Sequence, residues 1–157
     1  MNAATSAPRD LWFLNTRVTV RVSCAEGTDR ISIMEHWAPH GDSPPLHIHR
    51  NEDEVFHCLE GDARFVVGGS EARATAGQTL IVTKGIAHTY RVESFAGARW
   101  LTVTCGEDFE RFVRAFSRPA ERDGLPEPAG PPTPDQAQEL ARACAQYGIE
   151  IVGPPLS

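Results

Sequence analysis

The chain has 157 residues, of which 41% are hydrophobic and 23% are charged. It is therefore long and apolar enough to fold as one domain without disulfide cross-links. Its 15 basic and 21 acidic residues give a formal net charge of −6, which argues against nucleic-acid and anionic-membrane partners because both attract basic surfaces. No run approaches the roughly 18 apolar residues of a membrane-spanning helix.

Four cysteines are spread along the chain, and no two of them form a CxxC pair. This spacing argues against both a thiolate zinc site and a dithiol redox motif. The first ten residues contain no apolar signal-peptide core. These features predict a cytoplasmic protein whose thiols are reduced.

Short strand-like segments recur between Leu11 and Cys105, separated by turn residues. Residues 17–23 alternate polar and apolar side chains, as a half-buried strand does. The other predicted strands are 31–37, 54–59, 63–67, 79–83, 88–92 and 99–104. The Gly68-Gly69 pair indicates a hairpin. Strands at this spacing, with no helical pattern between them, predict an all-β sandwich or barrel.

The pattern changes after Cys105. Residues 107–116 place four apolar side chains at i, i+3, i+4 and i+7, which predicts an amphipathic helix. These side chains belong to Phe109, Phe112, Val113 and Phe116. We expect them to pack against the barrel rather than to form a binding surface.

The proline-rich residues 117–134 predict an extended connector, after which a second helix begins. We expect Thr133 to be its N-cap, Pro134 its first helical residue and Gln136 the partner in a capping box. Gly148 is expected to end this helix as the residue that follows the C-cap.

Residues 41–61 carry the candidate chemistry. His47 and His49 are two residues apart, so in a strand both imidazoles face the same side at a spacing of about 7 Å. Glu54 begins the next predicted strand after a short bend and can supply an anionic oxygen. Two histidines and one carboxylate are typical of an open site for a divalent transition metal.

A second segment, residues 77–92, contributes His88. This histidine follows a predicted strand and a turn at Gly85, and it begins the next strand. It is therefore placed to supply a third imidazole from a neighbouring hairpin.

The first segment resembles the first motif of the cupin superfamily. That motif reads Gly, five residues, His-x-His, three or four residues, Glu, six residues, Gly. The residues that match it, with the four-residue spacing and no gap, are Gly41, His47, His49, Glu54 and Gly61.

The second segment resembles the second cupin motif. Gly77, Gly85 and His88 match its glycines and its histidine. Thr83 stands where the family usually has proline, and Val92 stands where it often has asparagine. These departures concern the stiffness of a turn and a backbone contact, not the metal ligands.

The resemblance implies an all-β cupin jelly-roll barrel with C-terminal helices, and its motifs cover about residues 30–105. We expect residues 1–116 to form the barrel with an N-terminal strand and the first helix. Residues 117–157 are expected to form the connector, second helix and tail, packed on the barrel. This tail is also similar to that of small cupins related to quercetin 2,3-dioxygenase.

By the same resemblance, the metal ligands are His47, His49, Glu54 and His88, holding one divalent ion per chain. Fe, Mn, Ni, Co, Zn and Cu all suit imidazole and carboxylate ligands, while the lack of thiolates argues against a closed structural zinc site. Glu54 is also expected to be catalytic, as a hydrogen-bond acceptor or base towards the substrate. Because ligation needs neutral imidazoles, metal affinity is expected to fall below about pH 6.

Other polar residues near the first motif are expected to have ordinary roles. Glu52 and Asp53 compete with Glu54 as carboxylate ligands, but Glu52 lies in the bend and Asp53 faces the opposite side of the strand. His57 also faces the side opposite to Glu54, and we expect a structural or interfacial role for it.

His36 and His40 precede the motif and are expected on the surface or in a loop. Cys58 shares a face with Glu54 and is expected to be an inert buried thiol. Trp37 and Trp100 are expected to serve packing or a dimer interface.

Two aromatic side chains are candidates for substrate binding. Phe56 shares a strand face with Glu54, and Tyr90 shares one with His88. Each is expected either to line a substrate pocket beside the metal or to belong to the core.

Three functional hypotheses follow for a small-molecule substrate. The first is a metal-dependent dioxygenase, similar to quercetin 2,3-dioxygenase, in which O₂ attacks an enolic or phenolic compound. The second is metal-assisted isomerase, dehydratase or lyase chemistry without O₂, and the third is a non-catalytic small-molecule binder. Since cupins usually pair, we also expect a homodimer, with residues 11–16 as a strand that is exchanged or lies at the interface.

Overall fold

Two antiparallel sheets form the fold in the computed structural model, which describes residues 9–157. The strands are β1 (Asp10–Phe13), β2 (Thr16–Val22), β3 (Ile31–Ala38), β4 (Leu46–His49), β5 (Glu54–Glu60), β6 (Asp62–Val67), β7 (Ser70–Thr75), β8 (Thr79–Val82), β9 (His88–Val92), β10 (Ala98–Cys105), β11 (Ser117–Pro119) and β12 (Ile149–Gly153). The helices are α1 (Asp108–Ala115) and α2 (Pro134–Ala145).

The strand order explains how the two halves of the chain combine. The larger sheet has the order β11-β1-β2-β3-β10-β5-β8, and the smaller sheet has the order β12-β4-β9-β6-β7. Consecutive strands therefore often lie in different sheets, as in a jelly roll. This arrangement confirms the predicted fold class.

The core has two parts. One hydrophobic cluster lies between the two sheets and includes Phe56 and Trp100 from the larger sheet and Phe65 and Val92 from the smaller sheet. The second cluster joins the first strands to the helices and to β12, through residues that include Leu11, Phe13, Met34, Phe112 and Ile149. The C-terminal part of the chain is therefore bound to the barrel by buried apolar contacts.

Both helices form where the sequence predicts them. In α1, Phe112 and Val113 are buried, whereas Phe116 remains 39% exposed. In α2, Thr133 and Gln136 form the complete predicted capping box. The end of α2 differs from the prediction, because the helix stops at Ala145 and a further turn precedes Gly148, which has a φ of +66°.

Four short strands, β4, β7, β11 and β12, were not among the predicted ranges, although β4 is the strand that was assumed for His47 and His49. The residues of β7 are mostly polar and exposed, because β7 is an edge strand that pairs only with β6. The first residues of the predicted connector form β11, which pairs with β1. The tail forms β12, which pairs with β4.

The predicted N-terminal strand is β1, and it is paired within the same chain on both sides. Leu11 lies opposite Val18 of β2 on one side and opposite Pro119 of β11 on the other. The homodimer stays a prediction. Among residues 9–157, neither helix combines the length and the apolar character that crossing a bilayer requires.

Candidate metal centre

The pairing of two strands brings three histidines together. His47 and His49 lie on β4, and His88 begins the neighbouring strand β9. His47 lies directly opposite His88 in the antiparallel register, and their ring centroids are 4.4 Å apart. The His47 and His49 rings, two residues apart, have centroids separated by 5.2 Å. Strand alternation and register are therefore sufficient to gather the three imidazoles.

Glu54 approaches the histidines from the other sheet, as the first residue of β5. Its Oε2 lies 3.0 Å from His88 Nε2 and 3.4 Å from His49 Nε2. The potential ligand atoms of His47, His49, Glu54 and His88 all lie within 4.8 Å of one another. The structure thus brings together all four residues that the sequence assigned to the metal.

Backbone contacts orient two of the rings. The Nδ1–H of His47 donates to the Pro45 carbonyl oxygen at 2.7 Å, which directs the unprotonated Nε2 of a neutral ring away from that carbonyl. The Nδ1 of His88 makes the corresponding contact with the Ile86 carbonyl oxygen at 3.1 Å. Such hydrogen bonds are the usual support of histidine ligands in metal sites.

The donor atoms fit a divalent metal ion. The Nε2 of His49 is buried, and its 3.4 Å contact with Glu54 Oε2 does not form a hydrogen bond, although a buried polar atom normally needs one. A ligand bond to a metal would satisfy it. Three imidazoles and one carboxylate suit Fe, Mn, Ni, Co, Zn or Cu.

Burial and mutual charge control the protonation of the cluster. Burial lowers the pKa of His47 to about 3 and also lowers the pKa of His49. Burial opposes the charge of Glu54, but His49 and His88 outweigh it and lower the pKa of Glu54 to about 2. Burial likewise opposes the charge of His88, and the hydrogen bond to Glu54 outweighs it, so that the pKa of His88 is raised. A metal ion that binds His88 would take the place of this proton.

The cluster opens on a cavity of about 630 Å³. His47, His49 and Glu54 line it, and so do Phe56 and Tyr90, the two predicted substrate-binding residues. Most of the remaining wall is apolar; α1, the connector and α2 supply part of it, and the turn between β1 and β2, the loop before β4, and β12 supply much of the rest. Its size is typical of sites for small organic molecules.

The expectation for His36 was wrong. This residue lies on β3 and is only 5% exposed. Its ring stacks on that of Trp100, with centroids 5.4 Å apart and planes 5° apart, and lies 6.0 Å from the ring of Phe109. Burial lowers the pKa of His36 to about 4, so the ring is neutral near pH 7.

The inward-facing side of β3 is not its more apolar side. Apolar Ile31, Ile33 and Trp37 favour one face of the strand as the inner one, but Ser32, Met34 and His36 are the buried residues. The guanidinium of Arg99 covers the outward-facing Trp37 ring at 4.3 Å. Trp100, opposite His36 on β10, is buried and lines the cavity.

Asp42 is a cavity residue that the sequence reasoning did not single out. Its Oδ2 accepts a hydrogen bond of 3.3 Å from the Tyr90 hydroxyl, and both residues line the cavity. Burial raises the pKa of Asp42 to about 6, against the opposing effect of the hydrogen bond. The tyrosine and aspartate form a second polar group in the wall.

The competing carboxylates lie outside the four-residue cluster. Glu52 is buried, and its Oε2 accepts from the Phe109 backbone N–H at 2.9 Å. Asp53 Oδ1 accepts from the Lys84 backbone N–H at 2.8 Å. Glu52 therefore positions the start of α1, and Asp53 holds the turn before His88.

The remaining histidines and Cys58 also lie outside the cluster. His40 is exposed and stacks on Phe95 with ring centroids 4.8 Å apart. His57 Nδ1 lies 2.7 Å from Thr79 Oγ1. Cys58 is buried in the core between the sheets, and burial raises the pKa of its thiol, which makes it a poor nucleophile.

Comparison with known proteins agrees with this geometry. Residues 33–104 match the Cupin_2 family model, described as a cupin domain. Quercetin 2,3-dioxygenase from Bacillus subtilis is 30% identical over 101 residues, which are 64% of this chain and 30% of that protein. The chain thus matches less than a third of the length of this relative.

Two solved structures share the fold. Ectoine synthase from P. lautus superposes with a TM-score of 0.59 at 19% identity, covering 79% of this chain and 87% of that one. A predicted oxalate decarboxylase from Thermotoga maritima gives 0.57 at 18% identity, covering 67% and 98%. At these identities the likeness concerns the fold alone. The chain therefore has the cupin jelly-roll fold, its residues 33–104 match the model of a cupin domain, and its sequence resembles that of quercetinase-like proteins.

Proposed function

We propose that the protein is a metal-dependent dioxygenase that acts on a small enolic or phenolic compound. The observation that carries this proposal is the position of the His47, His49, Glu54 and His88 cluster at the wall of a largely apolar cavity. Metal ligands on a cavity wall are typical of catalytic rather than structural sites.

The four residues of the cluster would hold one divalent ion of Fe, Mn, Ni, Co, Zn or Cu. When bound, such an ion supplies Lewis acidity, which lowers the pKa of a substrate hydroxyl and raises the electron density of the resulting anion. The name of the quercetin 2,3-dioxygenase relative supports an oxygenase acting on a compound of this type.

The protein's own side chains would bind and orient the substrate. The rings of Phe56 and Phe109 lie on the cavity wall and offer flat apolar surfaces to a substrate ring while excluding water. Glu54 is ionised at neutral pH because the neighbouring histidines lower its pKa. Its carboxylate oxygen would accept a hydrogen bond or a proton from the substrate hydroxyl.

The proposal is tested by loading the protein with each of the six metals under anaerobic conditions and then measuring O₂ uptake. The substrates are enolic and phenolic compounds, including flavonols. We expect uptake that depends on both metal and substrate, and we expect its loss in Glu54→Gln. Full metal loading without O₂ uptake for any substrate would overturn the proposal. Turnover that persists without O₂ would favour isomerase, dehydratase or lyase chemistry, and ligand binding without turnover would favour a binding protein.

A further inference from the structure

A continuous chain of rings borders the cavity from one side of the metal cluster to the other. It begins at His49, ends at His88 and contains five further rings between them. In order from His49, these are Phe109, His36, Trp100, Tyr90 and Phe56. The centroids of neighbouring rings, from His49 through to His88, are 5.0–6.5 Å apart. All five line the cavity. The wall is therefore built from flat surfaces that favour a planar ligand.

His36 is the exception in this wall, because it carries an unused polar atom. Among the described residues that line the cavity, only His36 and His49 have a buried side-chain nitrogen or oxygen without a hydrogen-bond partner, and in both it is Nε2. That of His49 belongs to the metal cluster. A buried polar atom without a partner is costly, so the Nε2 of His36 needs a partner that the folded chain does not supply.

The strand register places His36 away from the metal cluster. His36 lies opposite Trp100 on β10, whereas Glu54 lies opposite Thr104 on the same strand. Their backbone positions are thus four residues apart along the strand direction, or about 13 Å. The Phe109 ring lies between the rings of His36 and His49, with centroids 6.0 Å and 5.3 Å from them, so a ligand that reaches both His36 and the metal cluster needs polar groups at two separate positions.

We infer that His36 is a specificity-determining residue, whose Nε2 forms a hydrogen bond with an oxygen substituent on a part of the ligand that lies outside the metal cluster. The ligand class is a planar aromatic compound with an enolic or phenolic oxygen at one position and a second hydroxyl or carbonyl at another. This inference rests on the proposed function, since it assumes that the near end of the ligand binds beside Glu54.

The test compares the binding of flavonol with that of flavonols carrying one extra hydroxyl on the far ring. Dissociation constants are measured anaerobically on the metal-loaded protein by titration calorimetry. We expect the wild type to bind at least one hydroxylated compound roughly 3- to 10-fold more tightly than flavonol. In His36→Phe, which keeps a flat ring against Trp100, this preference should disappear. In His36→Gln, which restores a polar group, it should partly return.

His57→Phe is the matched control, because His57 contacts Thr79 and is not among the cavity-lining residues. It should leave the preference unchanged. Melting curves of each variant establish that it is folded. The inference is overturned if no compound binds, if the wild type shows no preference, or if His36→Phe weakens all compounds equally. The proposed function fails separately if the protein binds the compounds with the preference that depends on His36 but consumes no O₂.

Discussion

Ile149 lies directly opposite His49 in the pairing of β12 with β4. β4 has only four residues, and on its other side it pairs with β9 through the single position of His47 and His88. The C-terminal strand is therefore the main backbone partner of the strand that carries two of the candidate metal ligands. The tail belongs to the site as much as the cupin motifs do.

This arrangement predicts that weakening β12 weakens metal binding. Ile149 is 3% exposed and belongs to the second core cluster, so Ile149→Ala should lower the free energy of unfolding by about 2–4 kcal/mol. The Kd for Zn²⁺ should rise as well, because β4 loses a well-packed partner. Urea denaturation and calorimetric titration measure the two effects.

Val152→Ala is the control for this prediction, since Val152 lies on the same strand but is 42% exposed. It should change both quantities little. Equal metal affinities in the two variants and the wild type would contradict the supporting role of β12.

The second prediction concerns the metal ligands themselves. His49→Ala should abolish tight metal binding, because it removes one of the four ligands. The Nε2 of His49 lies 3.4 Å from the Glu54 carboxylate, and only that of His88, at 3.0 Å, is nearer. Elemental analysis of the purified protein measures the metal content. His57→Ala, which removes a histidine outside the cluster, should retain full content. A His49→Ala protein with undiminished metal would disprove the ligand assignment.

The two cupin motifs made the cluster predictable, because they define which residues on separate strands meet. Strand alternation also placed Phe56 and Tyr90 correctly on the faces of Glu54 and His88. His36 was expected on the surface or in a loop because it precedes the first motif. It is buried instead, since a cavity accepts a neutral histidine where a solid core favours an apolar residue.

Long-range pairing was the other feature that local patterns could not supply. The residues of β7 carry almost no apolar signal because this strand lies at a sheet edge. The side chains of β12 alternate, but only the folded structure shows that β12 pairs with β4, which lies about 100 residues earlier in the chain. Register between distant strands depends on the whole barrel rather than on either segment.

The third prediction uses the half-buried carboxyl of Asp42. Its pKa is about 6 in the folded protein, above the ordinary 3.8. The folded state therefore binds a proton more tightly than the unfolded state, and stability should rise as pH falls from about 6 towards 4. Above pH 6, the cost of this charge should be about 3 kcal/mol.

Asp42→Asn should remove this cost, because a neutral amide can still accept the hydrogen bond from Tyr90. We expect the variant to be more stable than the wild type at pH 8, with most of that difference lost at pH 4.5, as measured by urea denaturation. Asp29→Asn, which replaces an exposed carboxylate, should not change the difference in the free energy of unfolding between pH 8 and pH 4.5. A variant that is no more stable than the wild type at pH 8 would contradict the prediction.

The last prediction tests the packing that holds Phe109 against His49. Glu52 accepts a hydrogen bond from the Phe109 backbone N–H, and it fits there because Gly106 has no side chain. A Cβ added at Gly106 would lie 2.3 Å from Glu52 Oε1 and 2.7 Å from its Cγ. Gly106→Ala should therefore displace the carboxylate and lower the free energy of unfolding by about 2 kcal/mol.

A double-mutant cycle separates this clash from the cost of backbone conformation. If the clash with Glu52 is the cause, Gly106→Ala should cost at least about 1 kcal/mol less in a Glu52→Ala background than in the wild type. Gly77→Ala is the backbone control, because Gly77 has a positive φ of +86°, as Gly106 has one of +156°, but nothing lies within 4 Å of a Cβ added at Gly77. The loss of stability caused by Gly77→Ala should be the same with and without Glu52→Ala. Additive costs for Gly106→Ala and Glu52→Ala would show that the two residues do not constrain each other, and that Glu52 does not control the position of Phe109 through this contact.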